Sequence, residues 1–175
     1  MKKILYFLFA TILIITISGC SEKKEDNTNK DKDTTTEEKN KTYSSHGASI
    51  VLPNNFYEKN LASATAYFES TKAILMFLKE DLSSLATINI GKNSTLGDYA
   101  NAVLANNEMT AEVKDHANFK YFTYEKSNNG KDFFYVSTLF KANDAFWLVT
   151  FACEKKDQNF YQTEFLKWAE TIKFE

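Results

Sequence analysis

The chain has 175 residues, a formal net charge of −2 and 43% hydrophobic residues, with two cysteines and five glycines. A slightly acidic chain offers no broad basic surface, so nucleic acid is excluded as a partner. The sequence also lacks the glycine-rich loops that cradle phosphates or dinucleotides, which excludes the common nucleotide-binding enzymes.

Residues 1–19 have the order of a secretory signal. Lys2 and Lys3 precede an apolar run from Ile4 to Ile17, and two small residues follow it. The run is shorter than the roughly 20 residues that a transmembrane helix needs, so we expect this segment to be cleaved and not retained as a span.

The four residues Ile17, Ser18, Gly19 and Cys20 resemble the lipobox of bacterial lipoproteins, in which an aliphatic residue and two small residues precede an obligatory cysteine. The resemblance implies cleavage before Cys20, a diacylglyceryl group on its thiol and an acylated new amino terminus. Two or more acyl chains hold a protein on a membrane, so the expected location is the extracytoplasmic side of a bacterial membrane. The alternative is an ordinary signal peptide that contains a cysteine by chance.

A charged segment follows, "SEKKEDNTNKDKDTTTEEKNK", with alternating signs and no aromatic residue. It cannot bury enough apolar surface to offset its conformational entropy, so residues 20–44 are predicted to form a lipidated cysteine and a disordered linker. A flexible chain of this length spans on the order of 25 to 30 Å, which lifts a domain clear of the lipid headgroups. A partner-binding tail is the other interpretation of this composition.

Residues 45–175 are predicted to form one domain, which begins with strands. Four apolar stretches indicate these strands: "ASIVLP", which Pro53 ends, then "TAYFES", "KAILMFLKE" and "ATINI". The next stretch, "STLGDYANAVLANN", has helical spacing, with Thr95 and Asp98 placed to form a capping box. The apolar residues of this helix are predicted to pack against the sheet: Leu96, Tyr99, Ala100, Val103 and Leu104.

The second half of the domain is predicted to be an antiparallel meander of "AEVKDH", "FKYFTYEKS", "KDFFYVSTLFKA" and "AFWLVTFACE". Turn residues at Asn128–Gly130 and Asn143–Asp144 are typical of hairpins. Both faces of the last two strands are apolar, so we expect the sheet to be covered on both sides, by a helix, a long segment or a partner. A final helix is predicted in "DQNFYQTEFLKWAETIKFE", with Asp157 as its cap. Its apolar stripe consists of Tyr161, Phe165, Trp168, Ala169 and Ile172.

The order of these elements resembles the PsbP/Mog1-like superfamily. The resemblance rests on "ASIVLPNNFYE", with Phe56 where the family tends to have tryptophan, on "STLGDYANAVL" and on the ending "TIKFE". It implies an α+β fold, an antiparallel β-sheet flanked by helices as an α/β/α sandwich, used as a binding or assembly module. Some members attach to photosystem II and another binds a small GTPase.

Isolated reactive side chains do not form a catalytic or metal-binding motif. His46 and His116 lack a companion ligand sequence, so no metal and no cofactor are predicted. The stretch "SSHGAS" places serine beside histidine, but adjacency in sequence does not make a triad. Cys153 lies in an apolar strand, and a lipidated Cys20 cannot pair with it, so it is predicted to be a free core residue.

Two pairs of carboxylates fall at the ends of predicted strands. Glu80 with Asp81, and Glu112 with Asp115, are predicted to lie in solvated turns and not to act as acid/base pairs. No catalytic residue is therefore predicted.

The predicted function is a non-catalytic binding or accessory module, anchored in the membrane through Cys20, for another envelope protein or a ligand. Four amphipathic aromatic residues on the late strands are the candidate partner-binding residues: Tyr121, Tyr124, Tyr135 and Trp147. The alternatives are an envelope-associated enzyme without a recognisable motif and a purely structural surface lipoprotein.

Overall fold

The computed structural model describes residues 39–175. The predicted signal peptide, the lipobox with Cys20 and the linker as far as residue 38 lie outside the described residues, and they stay predictions. No helix within residues 39–175 is both long and apolar enough to cross a membrane.

Ten strands and three helices make up the described part of the chain. The strands are β1 (Asn40–Ser45), β2 (Ala48–Pro53), β3 (Tyr57–Glu58), β4 (Ala66–Glu69), β5 (Ala73–Asp81), β6 (Lys114–His116), β7 (Phe119–Asn128), β8 (Lys131–Lys141), β9 (Ala145–Glu154) and β10 (Lys173–Phe174). The helices are α1 (Leu82–Leu85), α2 (Leu96–Asn106) and α3 (Gln158–Glu170), with 3-10 turns at Ala86–Ile88 and Lys155–Asp157.

The strands form two antiparallel sheets. The large sheet has seven strands in the order β3-β4-β5-β9-β8-β7-β6, and the small sheet has three in the order β1-β2-β10. The predicted turn between β7 and β8 is confirmed: Asn129 and Gly130 have φ values of 50° and 75°, and a tight two-residue hairpin needs positive φ at both positions.

One face of the large sheet, the closed face, is covered by α3 and the small sheet. Val136, Trp147 and Phe151 on this face belong to one continuous core. The Phe151 ring packs on Phe165 of α3 with centroids 5.2 Å apart, and Trp147 stacks on Phe174 of β10 at 4.8 Å. The apolar stripe predicted for the last helix therefore packs on this face and covers it.

The other face of the large sheet, the open face, is covered over part of its length only. Tyr99 of α2 stacks on Phe146 of β9 with centroids 4.6 Å apart, and Val103 and Leu104 are buried beside it. The 11 residues of α2 extend about 16 Å, whereas the 11 residues of β8 extend about 35 Å. The helix is thus about half as long as the strand beside it, and it covers only part of the face.

The start of α2 is fixed by the predicted capping box, which is confirmed. Thr95 Oγ1 accepts a hydrogen bond from the Asp98 backbone N–H at 3.1 Å, and Asp98 Oδ2 accepts one from the Thr95 N–H at 2.8 Å. The hydrogen bonds from the backbone and side chain of Thr95 lower the pKa of the Asp98 carboxyl. These contacts satisfy amide groups that the first helical turn leaves without a partner.

The structure corrects two predicted segments in the first half. Strand β1 begins at Asn40 and pairs with β2 along its whole length, so ordered structure starts inside the segment assigned to the linker. The stretch "ATINI" is not a strand, because Leu85 and Ile90 both enter the core while the residues between them are exposed, as in a helical turn.

The predicted cap of the last helix is also wrong in detail. Asp157 occupies the position before α3, but its side chain makes no capping hydrogen bond. Its Oδ2 lies 3.6 Å from Lys72 Nζ, so the carboxylate pairs with a lysine instead.

Candidate functional site

The open face carries a groove beyond the end of α2, with a volume of about 400 Å³. One wall is the end of α2 with the segment after it, from Val103 to Thr110, and Glu125 and Lys126 on β7 form the opposite rim. Strands β5, β9, β8 and β7 form the floor. This volume lies within the range of roughly 300 to 1,000 Å³ that is typical of small-molecule sites.

The register of the sheet explains the depression, because two cross-strand rows make the floor. One row consists of Tyr124, Tyr135, Ala152 and Ile74. The next row consists of Phe122, Ser137, Thr150 and Met76. The small side chains of Ser137, Thr150 and Ala152 meet at the centre of this area. Larger side chains on β7 and β5 stand on either side, so the centre is lower than its borders.

Three hydroxyl groups lie across this floor, those of Tyr124, Ser137 and Thr150, and we call them the hydroxyl chain. Ser137 Oγ and Thr150 Oγ1 are hydrogen-bonded at 2.9 Å, and the Ser137 side chain is near enough to Tyr124 to lower the pKa of its hydroxyl. Three hydroxyls carry three donors and six lone pairs. Since the Ser137–Thr150 hydrogen bond uses one donor, a donor and several lone pairs remain for a ligand.

The tyrosines of the groove stack on each other and stay uncharged. The rings of Tyr124 and Tyr135 are stacked with centroids 4.6 Å apart and planes 3° from parallel. Burial, with a smaller contribution from Tyr135, raises the pKa of Tyr124 to about 12. Burial also raises the pKa of Tyr135. Both hydroxyls are therefore protonated and neutral at any ordinary pH.

Charge is confined to the rim of the groove. Among the described residues that line it, the charged ones are Glu125 and Lys126, and both are exposed. Glu125 Oε2 accepts a hydrogen bond from Lys155 Nζ at 2.5 Å. The floor thus offers neutral hydroxyls and apolar surface, including Met76 and, on the wall, Met109, whose flexible thioethers adapt to ligands of different shape.

The four predicted partner-binding aromatics separate into two groups. Tyr124 and Tyr135 lie together in the groove. Tyr121 packs beside the closed-face core, with its ring 6.1 Å from His116. Trp147 is 2% exposed within the closed face, so its prediction as an interface residue is wrong, because β10 and α3 cover that side of β9.

Sequence reasoning missed the residues at the centre of the groove, Ser137 and Thr150. The predicted turn at Asn143–Asp144 does indicate them. Ser137 lies six residues before Asn143 and Thr150 lies six residues after Asp144, so the two residues are partners across the hairpin. The turn therefore places two polar side chains opposite each other on an otherwise apolar face. The contribution of Met76 depends on β5 pairing with β9, which has no comparable signal.

The serine beside a histidine does not form a catalytic arrangement. Ser45 Oγ donates to Glu58 Oε1 at 2.5 Å and lies 2.7 Å from His46 Nδ1. In a nucleophilic triad the imidazole accepts the serine proton, whereas here a carboxylate accepts it. His116 Nε2 lies 2.7 Å from Glu170 Oε1 and ties the end of β6 to the end of α3.

Glu80 corrects a sequence interpretation, because it is 8% exposed and not solvated. Its Oε2 accepts a hydrogen bond from the Tyr99 hydroxyl beneath α2. Burial raises the pKa of the Glu80 carboxyl, and the hydrogen bond from Tyr99 partly opposes that rise. The neighbouring Asp81 is exposed, so the two carboxylates do not share a site.

Cys153 is buried in the closed face as a free thiol, as predicted. Burial, followed by the nearby Asp157 and Glu154 carboxylates, raises its pKa to about 12. A thiol with so high a pKa is protonated and unreactive at neutral pH. Within residues 39–175, no group of three or more His, Cys, Asp or Glu residues is placed to hold a metal ion.

Comparisons with known proteins bear on the fold alone. No protein-family model matches the chain, and no curated protein matches it in sequence. The crystal structure of the Saccharomyces cerevisiae Ran-binding protein Mog1p is similar to it, with a TM-score of 0.51 and 7% identity, over 78% of this chain and 95% of that chain.

Two further solved structures are similar. A crystal structure from Bacteroides thetaiotaomicron has a TM-score of 0.50 and 12% identity, over 74% of this chain and 45% of that chain. The solution structure of cyanobacterial PsbP from Synechocystis has a TM-score of 0.48 and 13% identity, over 83% of this chain and 98% of that chain. With its antiparallel sheet between α2 and α3, the chain has the Mog1-like α+β fold that its sequence predicts.

Proposed function

We propose that this protein is a non-catalytic binding module of the bacterial cell envelope. In this proposal, a lipid on Cys20 anchors it to the membrane, and the groove on the open face holds a small amphipathic ligand. The observation that carries the proposal is the groove itself, a recess of about 400 Å³ with a mainly apolar lining and a hydroxyl chain on its floor.

The shape of the groove supports a small ligand more than an envelope protein as its occupant. Stable protein interfaces bury about 800 Å² on each partner and centre on projecting aromatic side chains. Here Tyr124 and Tyr135 lie flat against each other within the recess. Rigid flat rings that line a depression suit a ligand that enters it.

The chemistry of the groove supports binding and not catalysis. Among the residues that the structure describes, its lining holds no cysteine, histidine or aspartate, and its one glutamate, Glu125, is on the rim and paired with Lys155. The groove hydroxyls have no base beside them to activate one as a nucleophile. The similarity to Mog1p, a Ran-binding protein, is compatible with a binding role for this fold.

The test of the groove uses membranes from cells that produce the full chain, labelled with a photoreactive medium-chain alcohol. We expect crosslinks on peptides that contain Met76 and Met109, because their side chains line the groove. A Met76→Lys variant should lose this labelling, since its ammonium group would enter the recess. The matched control is Phe160→Lys, which changes an apolar residue that is 64% exposed on α3, outside the groove. Equal labelling of both variants would contradict the proposal.

The test of the anchor is independent of the groove. A Cys20→Ala variant removes the only thiol of the lipobox, so it should take up no label from a clickable fatty acid and should leave the membrane fraction. Retention of the lipid label by this variant would contradict the proposed anchor.

A further inference from the structure

The hydroxyl chain limits which ligands the groove can accept. Tyr124, Ser137 and Thr150 present O–H groups on the floor, and the charged lining residues Glu125 and Lys126 are on the exposed rim. An ion buried without a counter-charge is strongly disfavoured, whereas a neutral polar group needs only a hydrogen bond. Among the described residues, the floor therefore carries no counter-charge for a carboxylate, phosphate or ammonium.

We propose that the groove is selective for neutral amphiphiles, molecules with an apolar body and one uncharged hydroxyl or carbonyl group, which the hydroxyl chain binds on the floor. This inference rests on the proposed function and adds the class of ligand. The apolar body lies along Ile74, Met76 and Leu148, beside the stacked tyrosines.

The geometry of the hydroxyl chain fits such a head group. Ser137 and Thr150 are directly opposite each other on β8 and β9, and their oxygens are 2.9 Å apart. A ligand hydroxyl or carbonyl above them would meet the remaining donor and the free lone pairs of the chain. Since a hydroxyl can reverse its donor direction, the same three groups accept either kind of neutral head group.

The chain itself does not supply the occupant. The residues between Cys20 and Lys39 are polar or charged throughout, so this segment lacks the apolar body that the groove would bury. The proposed anchor instead places the groove near a membrane, where neutral amphiphiles are concentrated.

The experiment compares three photoreactive probes of equal chain length that differ only in the head group: hydroxyl, carboxylate or ammonium. Membranes containing the full chain are labelled, and the yield on groove peptides is normalised to the labelling of total membrane protein. We expect the alcohol to label the groove about tenfold more than either ion, because desolvation of an unpaired ion opposes its entry.

Variants then test whether the hydroxyl chain causes the preference. Ser137→Ala and Thr150→Val should each lower the alcohol labelling by about threefold to tenfold, the usual effect of one lost hydrogen bond. The matched control is Thr138→Val, the same chemical change on the closed face, where Thr138 Oγ1 donates to the Val149 carbonyl and does not reach the groove. Its labelling should equal that of the unchanged protein.

The possible failures are distinguishable. Equal groove labelling by all three probes would overturn the selectivity and leave the proposed function intact. Absence of groove labelling by every probe would overturn both. Probe-free crosslinks between two copies through groove peptides, lost in Met76→Lys, would show that a second copy occupies the groove and would also overturn the inference.

Discussion

The closed and open faces of one sheet both carry mainly apolar side chains, yet they are covered to different extents. On the closed face, α3 and the small sheet cover large aromatic side chains such as Trp147 and Phe151 completely. On the open face, α2 covers one part, and the rest carries small central residues such as Ser137 and Ala152. The closed face is therefore a complete core, whereas the open face keeps an accessible recess, the site of the proposed ligand.

The two faces differ in how completely they are covered, and this difference arises from helix length and side-chain size and not from hydrophobicity. The 13 residues of α3 are followed directly by β10, so the segment after the helix continues to cover the sheet. The 11 residues of α2 are followed by a segment that moves to the sheet edge at β6. A recess remains where no second element follows the helix.

The largest expected effect is on the closed face. Trp147→Ala should lower the free energy of unfolding by about 3 to 5 kcal/mol, because it leaves a cavity in a region that cannot collapse. Met76→Ala on the open face should cost about 1 kcal/mol, since this side chain is already partly exposed. Urea unfolding followed by circular dichroism measures both values, and equal losses would show that the two faces contribute equally to stability.

A change of intermediate size is expected beneath α2, where Tyr99→Phe removes the hydrogen bond to Glu80. We expect a loss of about 1 to 3 kcal/mol at neutral pH, because a buried carboxylate then lacks its donor. The loss should be smaller in acid, where Glu80 is protonated.

The pH dependence of Glu80 has a definite sign. Since its folded pKa is raised above the unfolded value of about 4.3, the folded state binds the proton more tightly. The contribution of Glu80 to stability is thus present below pH 4 and is lost as the pH rises through the folded pKa. Glu80→Gln stays neutral, so its stability relative to the unchanged protein should increase from pH 4 to pH 7. A difference that does not vary with pH would contradict the raised pKa.

A smaller effect is expected at the start of α2. Thr95→Ala removes one partner of the capping box and should cost about 1 kcal/mol. The capping box belongs to α2, which packs on the open face, whereas α3 packs on the closed face. Hydrogen exchange should therefore increase in α2 and remain unchanged in α3. An equal increase in both helices would indicate that the two faces unfold as one unit.

The smallest effect separates two threonines on opposite faces. Thr138→Val should cost about 1 kcal/mol, because Thr138 is fully buried and donates to the Val149 carbonyl. Thr150→Val should change stability by less than about 0.5 kcal/mol, since Thr150 is partly exposed to the groove. The measurement is again urea unfolding, and a larger loss for Thr150 would assign it a structural role.

The sequence predicted the closed face well and the groove poorly, for a physical reason. The apolar stripe with Phe165 and Trp168 and the alternation within β8 and β9 are local patterns, and they indicate which residues pack together. The groove depends on where α2 ends over the sheet and on the pairing of β5 with β9, and both are set by tertiary packing. Glu80 was misjudged for the same reason, because only the position of Tyr99 explains a buried carboxylate there.

The buried thiol of Cys153 has a practical consequence. It lies under α3, and its pKa of about 12 keeps it unreactive while the closed face is intact. If Cys20 carries the proposed lipid, Cys153 is the single free thiol of each molecule, and we expect it to react only after α3 has moved away from the sheet. The rate at which this thiol is alkylated under native conditions therefore reports how often that face opens. Mass spectrometry measures this rate without any probe attached to the protein.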